Sequence, residues 1–221
     1  RAAACRSRMP SPRPDWIEAA AESARTVALG MLKERGRGAV LVGVARVDAA
    51  LEALLKAALA PPAARDSLFQ TDRPLGTFGA RIALAQRLGL IDPEVEKALQ
   101  ALRKVRNDFA HSTTDIALDE QTHQSRLAES YRLARTNPLW EPLDHLVAQQ
   151  LRPNGPGRIG NPAGQDSALA DYILLITILV TFLEATARQL KPVQPGLVMG
   201  FGGINRHSTD HAAVALQPPS C

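Results

Sequence analysis

The strongest constraint on the fold is a run of apolar residues that recurs every three to four positions between Arg37 and Pro61. This spacing places the side chains on one face of an α-helix, and Pro61 with Pro62 ends the helix because proline lacks an N–H. The apolar positions are Val40, Leu41, Val44, Val47, Leu51, Leu54, Leu55 and Ala58. No segment shows the alternation with a period of two that a half-buried strand needs. The sequence therefore predicts an all-α fold, a bundle of about five to seven helices.

Capping residues predict where the other helices begin. Asp15 with Glu18 forms a capping box, Thr77 can cap a second start, and Asp92 followed by Pro93 combines a cap with a proline in the first turn. The expected helices span 15–36, 37–60, 77–89, 92–111, 119–134, 139–150 and 167–190.

These helices are expected to form one domain, residues 15–190, between two tails. Residues 1–14 hold three prolines within five positions, and residues 191–221 are rich in glycine and proline, so both are expected to be disordered. Cys5 and Cys221 lie in these tails, where they cannot form a disulfide that cross-links the core. A reducing, cytoplasmic location is the expectation.

The excess of positive charge lies at the start of the chain. The formal net charge is +4, and Arg1, Arg6, Arg8 and Arg13 all precede the first acidic residue, Asp15. Without these four arginines the chain carries 22 basic and 22 acidic residues. Because nucleic-acid-binding proteins carry a basic stripe, the neutral body argues against direct binding of duplex DNA.

The longest apolar run, Tyr172 to Leu183, is interrupted by Thr177 and Thr181. It is shorter than the roughly 20 residues that cross a membrane. A buried core helix is therefore predicted here, with no membrane association.

The segment from Leu102 to Ser112 carries the residues with the most distinctive chemistry. Arg106-Asn107 followed by His111 matches the Arg-polar-x3-His signature of HEPN domains. Three further stretches resemble the centre of the mannitol operon repressor family, a branch of the HEPN-like helical proteins. These stretches are 68–69, 74–82 and 88–91. The resemblance is specific for about 37–112, and 136–165 looks like an inserted loop with a short helix.

The resemblance implies a HEPN-like helical bundle that represses transcription, forms a homodimer and works through a protein partner. The sequence offers no DNA-reading helix of its own, because the connection through Pro61 and Pro62 is too long for a helix-turn-helix. No cofactor is expected.

The alternative function is that of an endoribonuclease that needs no metal. With this alternative, the sequence leaves open whether the chain is an enzyme. Resemblance to the nuclease HEPN proteins implies a role for each of three residues of this chain. His111 would transfer a proton, Arg106 would neutralise charge and Asn107 would position a phosphate. On a regular helix, however, Arg106 lies about 140° from His111. The competing interpretation is a cap and salt-bridge cluster, in which Arg106 pairs with a neighbouring acid and His111 bonds to terminal carbonyls.

Arg81 and Asp108 are candidates either for a cleft lined by this helix or for helix packing, and an ion-pair role in packing is favoured for Arg81. His207 and His211 have metal-ligand spacing, but they lie in the tail without the glutamate of a zinc protease motif. No metal site is therefore predicted.

Overall fold

The computed structural model describes residues 15–62, 67–114, 116–151, 163–194 and 197–206. In these ranges the chain forms seven helices and one short hairpin, which confirms the all-α prediction. The helices are α1 (Asp15–Met31), α2 (Gly36–Ala58), α3 (Phe78–Arg87), α4 (Pro93–His111), α5 (Gln121–Ala134), α6 (Trp140–Leu151) and α7 (Ala163–Gln189). The hairpin strands are β1 (Leu197–Gly200) and β2 (Gly203–Arg206).

Two helix starts follow the local capping rules. The Thr77 hydroxyl accepts a hydrogen bond from the Ala80 N–H at 3.2 Å. The Asp92 carboxylate accepts hydrogen bonds from the N–H groups of Glu94 at 2.9 Å and Val95 at 2.7 Å. The capping box predicted at Asp15 rests on a side chain outside the described residues.

The first helix ends at Met31, earlier than predicted, and Gly36 with φ near 50° begins α2. A residue without a Cβ adopts this left-handed conformation readily.

The core is built around α7, which makes its most extensive contacts with α2. Gly43 of α2 allows this close approach, because a Cβ there would lie 2.8 Å from the Tyr172 hydroxyl oxygen. That hydroxyl donates a hydrogen bond to the Val40 carbonyl at 2.9 Å. The two threonines that interrupt the apolar run, Thr177 and Thr181, are both fully buried.

Residues 167–189 of α7 are long and apolar enough to cross a membrane, whereas the shorter run considered in the sequence was not. However, 78% of the most apolar window is buried inside the protein. The apolar surface of α7 is thus already covered by the neighbouring helices, as expected for a core helix.

On the other side of α2, helices α3 and α4 pack against it and against each other. The apolar stripe of α4 is fully buried and consists of Leu99, Leu102, Val105 and Phe109. This burial fixes α4 so that Arg103, Arg106 and Asn107 lie beside α2 and the first turn of α3.

The hairpin after α7 was not predicted from the sequence. Its strands pair antiparallel from Leu197 opposite Arg206 to Gly200 opposite Gly203. The chain leading to it is attached to the bundle, because the Val193 N–H donates to the Ala58 carbonyl at 2.7 Å. Strands of four residues contain too few alternations for a recognisable pattern. The remaining tail predictions, 1–14 and 207–221, lie outside the described residues, as does 152–162 of the predicted insertion.

Candidate functional site

A cleft of about 720 Å³ lies between α2, α3 and α4. We call it the α2/α3/α4 cleft. It is lined by Arg37, Leu41, Val44, Ala45, Asp48, Gly76, Thr77, Phe78, Gly79, Arg103, Arg106, Asn107 and Ala110. Its volume falls in the range of roughly 300–1,000 Å³ that is usual for small-molecule sites.

Three arginines line this cleft, and among the described residues each donates hydrogen bonds only to uncharged acceptors. Arg37 donates to the carbonyls of Ala110 at 2.8 Å and Ser112 at 3.1 Å. Arg103 donates to the Gln100 amide oxygen at 2.9 Å. Arg106 donates to the side-chain oxygen of its neighbour Asn107 at 3.2 Å.

No carboxylate of a described residue lies within 4.0 Å of any of these three guanidinium groups. The acid that lines the cleft, Asp48, instead pairs with Arg81 at 2.8 Å. The cleft therefore carries an excess of positive charge, although the body of the chain as a whole is neutral.

Arg81 is placed in the packing between α2 and α3 and does not line the cleft. Its side chain is buried and contacts Asp48 at 2.8 Å and Glu52 at 2.9 Å. It also donates to the carbonyls of Leu75 at 2.8 Å and Phe69 at 3.2 Å. One buried arginine thus ties α2 to the loop that precedes α3.

Asp108 lies on the opposite side of α4 and joins it to α5. Its carboxylate accepts a hydrogen bond from Arg126 and lies 3.9 Å from Nδ1 of His123. His123 is buried, with its ring centroid 5.1 Å from that of Phe109. The structure therefore places Asp108 in helix packing and not among the cleft residues.

The three residues of the Arg-polar-x3-His motif are not brought together. Arg106 and Asn107 contact each other and line the cleft, whereas His111 is exposed at the last position of α4 and is not among the lining residues. The carbonyls at this helix end are bonded by Arg37, the role suggested for His111. Nor does Arg106 have the neighbouring acid expected of a salt-bridge cluster among the described residues.

Sequence reasoning missed Arg37 and Arg103. Arg103 could have been found, because it precedes Arg106 by three positions and Asn107 by four and so shares their helix face. Arg37 gave no such signal, since its contacts with α4 span 73 and 75 residues.

The described residues contain no group of three or more His, Cys, Asp or Glu side chains that could hold a metal ion. His207, His211, Cys5 and Cys221 lie outside these residues.

Fold and cleft together define a class of protein, an all-helical bundle built around one central helix, α7, with a basic cleft on its surface. A chain in the X-ray structure of the MtlR–HPr complex from Escherichia coli is similar, with a TM-score of 0.53 and 18% identity. The match covers 74% of this chain and 99% of that chain. The chain therefore has an MtlR-like fold, as the resemblance to mannitol operon repressors implied. No family model and no curated protein matches its sequence.

Proposed function

We propose that this chain is a mannitol-repressor-like regulator that acts by binding a protein partner. The observation that carries the proposal is the MtlR-like fold, seen in a protein whose structure was solved as a complex with HPr. A cytoplasmic homodimer that represses transcription through such a partner is part of the same proposal.

The connection between α2 and α3 supports a regulator without its own DNA-reading helix. It runs from Leu59 to Thr77, and Arg81 holds part of it against α2. A helix-turn-helix requires a turn of about three or four residues between its helices. The neutral charge of the body is a second argument against direct DNA binding.

The endoribonuclease alternative is not favoured by the geometry. Nuclease chemistry needs a proton-transfer group and a cation at the same phosphate, but His111 does not line the cleft that holds Arg106. The alternative makes a separate prediction. The chain should cleave RNA in the presence of a chelator, and His111→Ala should abolish this cleavage.

The partner proposal can be tested by isothermal titration calorimetry of the full chain with purified HPr. Escherichia coli HPr and the HPr of the source organism are titrated separately, with an unrelated protein of similar size as the control. Saturable heat with either HPr and none with the control would support the proposal. No binding to either HPr, by a chain whose helical circular dichroism is intact, would contradict it.

A gel-shift experiment tests the second part of the proposal. The chain alone should not retard promoter DNA at physiological salt, whereas specific retardation of one promoter sequence would show direct DNA reading. Sedimentation equilibrium on the same sample measures whether the chain is a dimer.

A further inference from the structure

The α2/α3/α4 cleft concentrates cationic side chains that are not paired with an acid of the described residues. Arg37, Arg103 and Arg106 line one space, and none has a carboxylate of a described residue within 4.0 Å. Like charges held in one cleft repel each other unless an anion joins them. We propose that this cleft binds a small phosphate monoester, a role beyond partner binding.

Guanidinium groups suit a phosphate in both geometry and charge. Each guanidinium presents parallel N–H donors whose spacing matches two oxygens of one phosphate, and charge-assisted hydrogen bonds are roughly twice as strong as neutral ones. A phosphate monoester near neutral pH carries close to two negative charges. It therefore compensates more of the three cations than a carboxylate does.

The first turn of α3 adds uncharged donors to the same cleft. Thr77 and Gly79 line it, and Phe78 between them is the first helical residue. Backbone N–H groups in a first turn have no acceptor within their own helix, and this end of the helix attracts anions. Gly79 lies beside the Arg103 side chain, since a Cβ there would be in ordinary contact with Arg103 Cδ at 3.6 Å.

The organic part of the ligand is constrained by volume and by apolar residues. A cleft of about 720 Å³ exceeds the needs of a phosphate ion alone. Leu41, Val44 and Phe78 line the same space and offer an apolar surface to an ester group. A nucleic-acid strand is disfavoured, because stacking needs several aromatic side chains and Phe78 is the one aromatic side chain among the described residues that line the cleft.

Calorimetry with phenyl phosphate tests the site in the absence of any partner protein. The full chain should bind phenyl phosphate saturably, inorganic phosphate more weakly, and phenol not measurably. Equal affinity for inorganic phosphate would overturn the monoester assignment. No saturable binding of phenyl phosphate at millimolar concentration would overturn the whole proposal, without bearing on HPr binding.

Charge-matched variants separate the cleft from general electrostatics. Arg103→Gln and Arg106→Gln should each weaken binding of phenyl phosphate roughly tenfold or more, the value of a charge-assisted hydrogen bond. Lys104→Gln removes the same charge from an exposed position of α4 outside the cleft and should leave the affinity within about twofold. Equal losses in all three variants would overturn the proposal.

A ten-nucleotide RNA serves as the competing ligand. It should fail to displace phenyl phosphate at concentrations where phenyl phosphate itself saturates the chain. Displacement by RNA, together with direct binding of RNA that Arg106→Gln abolishes, would reassign the cleft to nucleic acid and overturn the proposal.

Discussion

The two sides of α2 differ sharply in how closely they are packed. On the side of α7, Gly43 lacks room even for a Cβ, and Tyr172 reaches the backbone of α2 with a hydrogen bond. On the other side the next residue, Val44, lines a cleft of about 720 Å³ together with Arg37 and Asp48. One side of α2 therefore packs into the core, and the other side lines the α2/α3/α4 cleft. This arrangement implies that stability and binding can be changed separately.

The largest effect is expected at Arg81, which joins α2 to the loop before α3 on the cleft side. Arg81→Met leaves Asp48 without its cation, leaves Glu52 paired with Lys56 alone and releases the loop carbonyls, so the free energy of unfolding should fall by about 3 kcal/mol. Urea denaturation measures this loss. Arg132→Met removes an exposed arginine paired with Glu129 and should leave the midpoint unchanged. Equal midpoints for both variants would contradict the anchoring role of Arg81.

The next effect is alkaline destabilisation of the core side. Burial raises the pKa of Tyr172 and of Tyr131 above their usual range. Above a pH of about 10 the unfolded chain loses these two protons while the folded chain keeps them, so stability falls by about 1.4 kcal/mol per pH unit for each tyrosine. Arg103→Gln, on the cleft side, should not change this slope.

These are the two tyrosines of the chain, so tyrosinate absorbance reports on them alone. It should rise only together with unfolding, as followed by circular dichroism. Tyrosinate appearing near pH 10 in a chain that is still folded would show that the phenols are accessible. Tyr131→Phe should remove about half of the tyrosine-dependent slope.

A paired glycine experiment compares the packing of the two sides directly. Gly43→Ala should cost about 1.5 kcal/mol, because the clash with Tyr172 exceeds the gain in helix propensity. Gly79→Ala places its Cβ at an ordinary contact distance of 3.6 Å from Arg103 and should be neutral or slightly stabilising. Thermal unfolding of both variants decides the comparison, which fails if Gly79→Ala is the more damaging.

The smallest effect is a gain in stability on the core side. The buried hydroxyl of Thr177 has no hydrogen-bond partner among the described residues. Thr177→Val keeps the shape and removes this group, so the free energy of unfolding should rise by about 1 kcal/mol. Thr26→Val removes an exposed hydroxyl bonded to the Glu22 carbonyl and should give no gain. A loss of stability in Thr177→Val would show that its hydroxyl is satisfied.

The helices could be predicted from the sequence because their signals are local. The cap at Asp92 lies within three residues of the N–H groups it accepts from, and the apolar stripe of α4 repeats within one element. The short hairpin and the early end of α1 depend on few residues and weak patterns. Predictions there failed because too few positions were available to reveal a period.

The cleft was only partly predictable because its residues come from three helices. Arg106 and Asn107 were singled out by a motif, and both line it. His111, the last residue of the motif, does not line the cleft, while Arg37 joins it through contacts that span more than seventy residues. Such a juxtaposition depends on how α2 and α4 cross, which a single sequence pattern does not specify.

The reliance of the core on α7 affects how the chain folds during its synthesis. The hydrogen bond from Tyr172 to Val40 joins positions 132 residues apart. While α1 and α2 emerge from the ribosome, their apolar faces have no α7 to cover them, and contacts of such long sequence separation form slowly. Nascent chains that stop before residue 163 should therefore be clients of chaperones, and release from them should follow the emergence of α7.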